Sequence, residues 1–219
     1  MPALRIAHRG DWRRAPENTV AALLAAVAVP ACDGLEFDVR LSADGIPVLL
    51  HDQTLQRVWG RPEAVEQLGA AALGDIGIPS LADVLAAVPR SVFLDVDLKG
   101  VHDRAVVEVL AAGRGAELRR AVVSSFEEET LERVGGLAPR WPRWLNADDM
   151  RDGTLARAVE LGCRGVSVEW RAIDRGALAR ARSVGLEVAA WTVRRRPTFD
   201  RLATLGVVAV CVEANALDG

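Results

Sequence analysis

The sequence predicts an α/β protein built as a single (β/α)8 barrel that takes in residues 1–219. Short apolar segments alternate with segments rich in alanine, leucine and arginine. This alternation is typical of a parallel sheet with crossover helices. Nine segments have strand character. One of them is the returning limb of a hairpin, so eight remain, which is the number that closes such a barrel.

The predicted strands are apolar or alternating runs bounded by glycine, proline or polar residues. They cover residues 4–8, 34–41, 47–51, 92–99, 121–126, 143–146, 165–170, 187–193 and 207–212. Helices are predicted near residues 19–29, from residue 79 onward and near residues 103–112. The first helix follows Pro16, and Asn18 or Thr19 can cap its free backbone N–H groups.

The second and third strands are predicted to form an antiparallel hairpin at residues 34–51. The turn signal at residues 42–45 separates them by too few residues for a parallel crossover. Counting back from this turn places His51 roughly opposite Glu36. Glycine and proline break the periodicity of residues 53–78, which predicts a short insert, a loop with a short helix, over the barrel mouth.

The composition is that of an ordinary globular protein, with 50% hydrophobic and 26% charged residues. The net charge of -3 gives no general attraction to nucleic acid or anionic lipid, so neither is an expected partner. The sequence has no transmembrane-length apolar span and no signal-peptide region, and we expect a cytoplasmic protein. Cys32, Cys163 and Cys211 lie far apart in apolar segments, which favours buried free thiols over a disulfide or zinc site.

Two of the predicted strands carry acidic residues on one face. Period-two alternation groups Glu36 with Asp38 in the second strand, and Asp95 with Asp97 and Lys99 in the fourth. A hard cation such as Mg²⁺ or Ca²⁺, with Mn²⁺ as a further candidate, takes carboxylate and water oxygens. We predict Glu36, Asp38 and Asp97 as its ligands and prefer Asp97 over Asp95, because Asp97 is nearer the strand's carboxyl end. The alternative is that these acids only form ion pairs with neighbouring cations.

Two of the three histidines end predicted strands. His8 and His51 each follow an apolar run and precede a charged residue, whereas His102 has no such setting. Imidazole titrates near neutral pH, so two histidines on different strands can act as base and acid on opposite sides of a phosphorus atom. The alternative is a structural role, which is common for a lone histidine.

The predicted site also holds two cations and an aromatic residue. Arg9 and Lys99 can neutralise phosphate oxygens as negative charge develops. Lys99 is the one lysine among 27 basic residues, which suggests that its position requires a compact ammonium; chance survival is the alternative. Trp191 is predicted either to wall the substrate pocket or to pack in the core.

Together these residues resemble the glycerophosphodiester phosphodiesterases, a family of phospholipase C-like TIM barrels. The resemblance covers nearly the whole chain, and its amino-terminal motifs are the most specific. The motifs are His8-Arg9-Gly10, Pro16-Glu17-Asn18-Thr19, Glu36-x-Asp38, Asp44-Gly45-x-Pro47-Val48, His51-Asp52, Ile78-Pro79-Ser80-Leu81, Ser124-Ser125-Phe126 and Trp191-Thr192-Val193.

The resemblance implies metal-dependent hydrolysis of small glycerophosphodiesters to glycerol 3-phosphate and an alcohol. It implies His8 and His51 as the acid-base pair and Glu36 and Asp38 as metal ligands. In the family's proposed chemistry the glycerol 2-hydroxyl attacks phosphorus first, and water later opens the cyclic phosphate. The alternatives are a lysophospholipid or sphingomyelin phosphodiesterase of the same barrel type, and a non-catalytic phosphodiester-binding module.

The chain departs from the family pattern in three places. Asp97 stands where the family usually has glutamate, so the third ligand is one methylene shorter, as in the similar spider-type sphingomyelinase D. The last strand runs into Glu213 instead of the usual Thr-Asp-x-Pro, which predicts altered substrate contacts on that side. The insert after His51 is short for the family, which predicts a more open site.

Overall fold

The computed structural model describes residues 2–100 and 104–219, in which nine strands form one sheet. The strands are β1 (Leu4–His8), β2 (Gly34–Leu41), β3 (Pro47–Leu49), β4 (Phe93–Leu98), β5 (Ala121–Ser125), β6 (Arg143–Ala147), β7 (Gly165–Glu169), β8 (Glu187–Val193) and β9 (Ala209–Val212). The α-helices of the described ranges are α1 (Val20–Val27), α2 (Gln56–Trp59), α3 (Ala70–Asp75), α4 (Leu81–Ala87), α5 (Arg104–Arg114), α6 (Glu128–Leu137), α7 (Asp152–Glu160), α8 (Arg175–Ser183) and α9 (Arg196–Leu205).

Eight parallel strands close into a barrel. The strand order is β1-β9-β8-β7-β6-β5-β4-β2, and β1 also pairs with β2, which completes the ring. β3 lies outside this ring and pairs with β2, antiparallel to it. The predicted (β/α)8 barrel with one hairpin is therefore confirmed.

The hairpin brings His51 to the barrel one residue away from its predicted alignment. Leu41 pairs with Pro47, so the loop holds the five residues 42–46. Ser42 N–H closes this loop by donating to the Ile46 carbonyl at 3.0 Å. Continued past Leu49, this register places His51 opposite residue 37, one residue from the rough alignment with Glu36 that the sequence predicts.

The helix starts follow ordinary capping chemistry. Thr19 caps α1 by accepting a hydrogen bond from Ala22 N–H at 3.2 Å, and Ser80 caps α4 by accepting one from Asp83 N–H at 3.1 Å. Asn18 is not the cap. The predicted start of α5 at Asp103 lies outside the described residues.

The insert between β3 and α4 has its own small core beside the hairpin. It contains α2, α3 and a short 3-10 helix at Val65–Gln67. Val48 and Leu50 of this core come from the hairpin. The other four come from the insert and are Leu55, Val65, Leu73 and Ile78. The insert therefore packs against the hairpin.

The larger core lies between the barrel and its helices, and a second apolar cluster fills the barrel interior. The interior cluster consists of Ile6, Val122, Trp144, Ala189, Ala209 and Cys211.

All three cysteines are free, and Cys163 and Cys211 are buried as predicted, whereas Cys32 is half-buried.

Across residues 2–100 and 104–219, the structure contains no helix with both the length and the hydropathy of a membrane span.

The turn after β1 brings the chain close to α1. Gly10 has φ +82°, and a Cβ added there would lie 2.5 Å from the backbone carbon of Ala22. Asp11 N–H donates to the Ala22 carbonyl at 2.9 Å, which fixes this approach. Gly10 therefore meets two requirements that other residues fail, a left-handed backbone and room for no side chain.

We predict that Gly10→Ala destabilises the protein by about 2 kcal/mol more than Gly45→Ala. Both substitutions place alanine at a positive φ, which costs roughly 1 kcal/mol. Only Gly10→Ala adds a backbone clash, because Gly45 (φ +74°) has no atom within 4 Å of its added Cβ. Urea unfolding of both variants measures the difference, and equal losses of stability would contradict the clash.

Candidate active site

A cavity of about 230 Å³ opens at the carboxyl end of the barrel. Every one of the eight barrel strands contributes to it, because alternate residues of each strand point inward. Its lining is His8, Arg9, Glu36, Asp38, His51, Asp95, Asp97, Lys99, Ser124, Phe126, Asn146, Ser167, Trp191, Thr192 and Cys211. Residues 53–78, which form the insert, contribute no residue to this lining.

Three carboxylates converge in the cavity. Oxygen atoms of Glu36, Asp38 and Asp97 all lie within 4.8 Å of one another. The parallel pairing of β2 with β4 explains this arrangement, because Asp38 is the register partner of Asp97. The three residues are only 4%, 1% and 7% exposed. This spacing suits a single hard cation.

Asp38 is the most fully partnered of the three acids. Arg9 Nε lies 2.9 Å from its Oδ2 and Lys99 Nζ 3.2 Å from its Oδ1. Asn18 Nδ2 donates to Oδ2 at 2.9 Å, and Asn18 Oδ1 accepts from the Asp38 N–H at 3.2 Å. Burial works to raise the pKa of Asp38, but the nearby positive charges outweigh it and lower the pKa to about 2.

The other two acids of the cluster are not fully neutralised by protein groups. Burial raises the pKa of Asp97 to about 8, although Lys99 Nζ lies 2.5 Å from its Oδ2. Burial, together with the charge of Asp38, also raises the pKa of Glu36 well above its ordinary value. Asp97 Oδ1 is buried without a hydrogen-bond partner among the described residues. A buried, unpaired carboxylate oxygen beside two further carboxylates fits a divalent cation.

Asp95 lies deeper in the barrel and outside this cluster. Ser124 Oγ donates to its Oδ1 at 2.6 Å, and its register partner is Glu36. Burial raises the pKa of Asp95 to about 7. Asp95 is therefore not among the three residues whose oxygens lie within 4.8 Å of one another.

His8 is held by an acid from the opposite end of the chain. Its Nδ1 lies 2.6 Å from Glu213 Oε1, and Arg194 Nε lies 2.7 Å from Glu213 Oε2. Burial opposes ionisation of Glu213, but its contacts with His8 and Arg194 lower its pKa to about 2. The His8 Nε2 atom lies 3.9 Å from Glu36 Oε2, at the carboxylate cluster.

His51 has a similar support from its sequence neighbour. Its Nδ1 lies 2.6 Å from Asp52 Oδ1, and Arg57 Nε lies 2.6 Å from Asp52 Oδ2. Arg40 Nε donates to the His51 carbonyl at 2.8 Å. Burial lowers the pKa of His51, against the opposing charge of Asp38.

Trp191 is anchored at the cavity wall. Its Nε1–H donates to the Ser167 carbonyl at 2.9 Å, and its ring packs edge-on against Phe126 with centroids 5.6 Å apart. It both lines the cavity and contacts the interior apolar cluster, so it combines the two predicted settings.

Sequence reasoning missed the contacts of two residues. The sequence predicts Asn18 as a possible helix cap and as part of a family motif, whereas in the structure it has a φ of 58° and its amide donates to Asp38. Glu213 was treated as a departure from the family pattern, although it supports His8. The contact between Glu213 and His8 could have been inferred from the closure of the barrel. β1 pairs with β9, and Ala7 is the register partner of Val212, so the next residues, His8 and Glu213, lie side by side.

Comparison with known proteins identifies the family. The sequence profile of the glycerophosphoryl diester phosphodiesterase family matches residues 8–215. A glycerophosphodiester phosphodiesterase of Caldanaerobacter subterraneus is 26% identical, with 94% of this chain and 92% of that protein covered. The human glycerophosphodiester phosphodiesterase 1 is 36% identical over 48% of this chain and 36% of its own length.

A solved structure agrees with these sequence matches. An Oleispira antarctica phosphodiesterase in complex with the product sn-glycerol-3-phosphate superposes with a TM-score of 0.84 and 26% identity. The superposition covers 96% of this chain and 93% of that one. The predicted family and enzyme class are thereby confirmed: this chain belongs to the glycerophosphoryl diester phosphodiesterase family.

Proposed function

We propose that this protein hydrolyses glycerophosphodiesters to glycerol 3-phosphate and an alcohol, with one divalent cation and two catalytic histidines. The observation that carries the proposal is one cavity lined by two carboxylate-supported histidines and a three-carboxylate cluster. The family match and the glycerol 3-phosphate bound by the Oleispira antarctica phosphodiesterase support the substrate class. The cavity volume of about 230 Å³ can accommodate a small diester.

Glu36, Asp38 and Asp97 would hold the cation, which is Mg²⁺, Ca²⁺ or Mn²⁺ in this proposal. When bound, it supplies positive charge against the phosphate oxygens. Arg9 and Lys99 contribute further positive charge on the same side of the cavity. Trp191 forms the apolar wall that orients the substrate.

His8 and His51 act as the acid-base pair. In each ring Nδ1 contacts a carboxylate, at 2.6 Å in both cases, which leaves Nε2 to take or give a proton. One histidine removes the proton from the glycerol 2-hydroxyl as it attacks phosphorus, and the other protonates the leaving alcohol. Water then opens the cyclic phosphate, which gives glycerol 3-phosphate. The two carboxylates keep the rings oriented during this transfer.

We predict that His8→Ala and His51→Ala each lower turnover by about 10²–10⁴-fold, the usual contribution of a general acid or base. Release of glycerol 3-phosphate from glycerophosphocholine measures the loss, and thermal unfolding checks that the fold is kept. His102→Ala is the control chosen from the sequence, because His102 does not end a predicted strand, and it should retain activity. A near-normal rate in His8→Ala or His51→Ala would show that the replaced histidine has only a structural role.

We predict that chelation abolishes turnover and that Mg²⁺, Ca²⁺ or Mn²⁺ restores it. The effective cation should also stabilise the fold, by about 2.7 kcal/mol at a concentration of 100 times its Kd. The melting temperature should then rise by roughly 5–10 °C. Asp97→Asn should lose this rise, whereas Asp95→Asn should keep it. Equal responses of the two variants would exclude Asp97 as a ligand.

We predict that Lys99→Arg is damaging although it preserves the charge. The Lys99 ammonium fits between Asp38 and Asp97, whereas the larger guanidinium would pair bidentately with Asp97 and compete with the cation. Lys99→Met should lower kcat by about 10²–10³-fold through lost charge stabilisation. Wild-type turnover in both variants would make the single lysine a compositional accident.

A further inference from the structure

The side chain of Arg57 joins two acids from different loops. Its Nε lies 2.6 Å from Asp52 Oδ2. Its NH1 and NH2 donate to the two carboxylate oxygens of Glu17 at 2.9 and 2.6 Å. All three contacts use the planar fork of one guanidinium, which fixes the two carboxylates relative to each other.

Each of the two acids contacts a residue of the cavity. Asp52 Oδ1 lies 2.6 Å from His51 Nδ1. On the other side, Glu17 Oε1 lies 2.9 Å from Arg9 NH1. Arg57 is therefore the middle member of a continuous chain of charged contacts that runs from His51 to Arg9.

The chain continues to the proposed metal cluster, because Arg9 Nε lies 2.9 Å from Asp38 Oδ2. Arg9 itself has φ 59°, and its side chain is mostly buried between Glu17 and Asp38. Arg57 thus links, through two acids, a proposed proton-transfer group and a proposed phosphate-binding group.

The insert holds Arg57 in place. Leu55, which directly precedes α2, is fully buried in the small core of the insert. At the other end of α2, Trp59 Nε1–H donates to the Ile76 carbonyl at 3.0 Å. Both ends of this single helical turn are anchored, so the insert determines where the Arg57 guanidinium lies.

We propose that Arg57 is a positioning residue that couples the orientation of His51 to that of Arg9. The insert then serves the site without lining it, by presenting this one guanidinium to Asp52 and Glu17. The inference rests on the proposed function, since it assigns His51 to proton transfer and Arg9 to the phosphate.

This role has a signature that a purely stabilising ion pair lacks. The Arg57 side chain is 47% exposed, so solvent screens the contribution of its ion pairs to stability. Loss of the guanidinium should therefore change turnover much more than the melting temperature. Arg61 is the matched control, because it lies in the same insert, is 40% exposed and pairs with Glu63 at 2.6 Å.

The test compares Arg57→Gln, Arg57→Lys and Arg61→Gln with the wild type on glycerophosphocholine. Arg57→Gln should lower kcat by about 10–100-fold, the usual effect of removing a supporting partner, with a smaller change in KM. Arg57→Lys should recover only part of the loss, because one ammonium cannot reproduce the fork. Arg61→Gln should keep the wild-type kcat.

A double variant measures the coupling itself. Glu17→Gln breaks the Arg9 side of the chain, so the combined loss in Arg57→Gln/Glu17→Gln should be smaller than the product of the single losses. NMR signals of the His51 ring provide a readout that needs no turnover. These signals should shift in Arg57→Gln and stay unchanged in Arg61→Gln.

The experiment distinguishes a failure of the proposed function from a failure of the positioning role of Arg57. An inactive wild-type protein would overturn the proposed function, and the His51 signals would still test the coupling. In an active enzyme, the positioning role is overturned by wild-type kcat in Arg57→Gln, equal losses in Arg57→Gln and Arg61→Gln, or full recovery in Arg57→Lys. Multiplicative losses in the double variant would likewise overturn the coupling.

Discussion

The burial of acidic side chains inside the barrel mouth is the constraint on which the rest of the site depends. A buried carboxylate stays ionised only where positive charges or hydrogen-bond donors offset its desolvation. Asp38 meets this condition through Arg9, Lys99 and Asn18. Asp97 does not meet it fully, since one of its oxygens has no hydrogen-bond partner in the described part of the chain.

The backbone around the site is arranged to deliver these partners. Arg9 and Asn18 both have positive φ values, 59° and 58°, which non-glycine residues adopt at a cost. The turn at Arg9 also aims its N–H at the Glu36 carbonyl and side chain, at 2.9 and 3.1 Å. These backbone conformations lower the stability of the fold, and they hold the charged groups in the geometry that the cavity requires.

The two histidines receive equivalent support from different parts of the fold. His8 depends on Glu213, which lies beside it only because β9 pairs with β1. His51 depends on its neighbour Asp52 and, through it, on the insert that carries Arg57. Closure of the barrel and folding of the insert are therefore separate conditions for orienting the two rings.

The sequence alone determined the barrel, the hairpin and the inward grouping of Glu36, Asp38 and Asp97, because strand periodicity and turn length are local properties. It aligned His51 only roughly with Glu36, and the register of the paired strands, continued past Leu49, places His51 one residue away. The contact between His8 and Glu213, 205 residues apart, was likewise decided by the tertiary structure. Such pairings depend on which strands meet when the barrel closes, and no local pattern encodes that geometry.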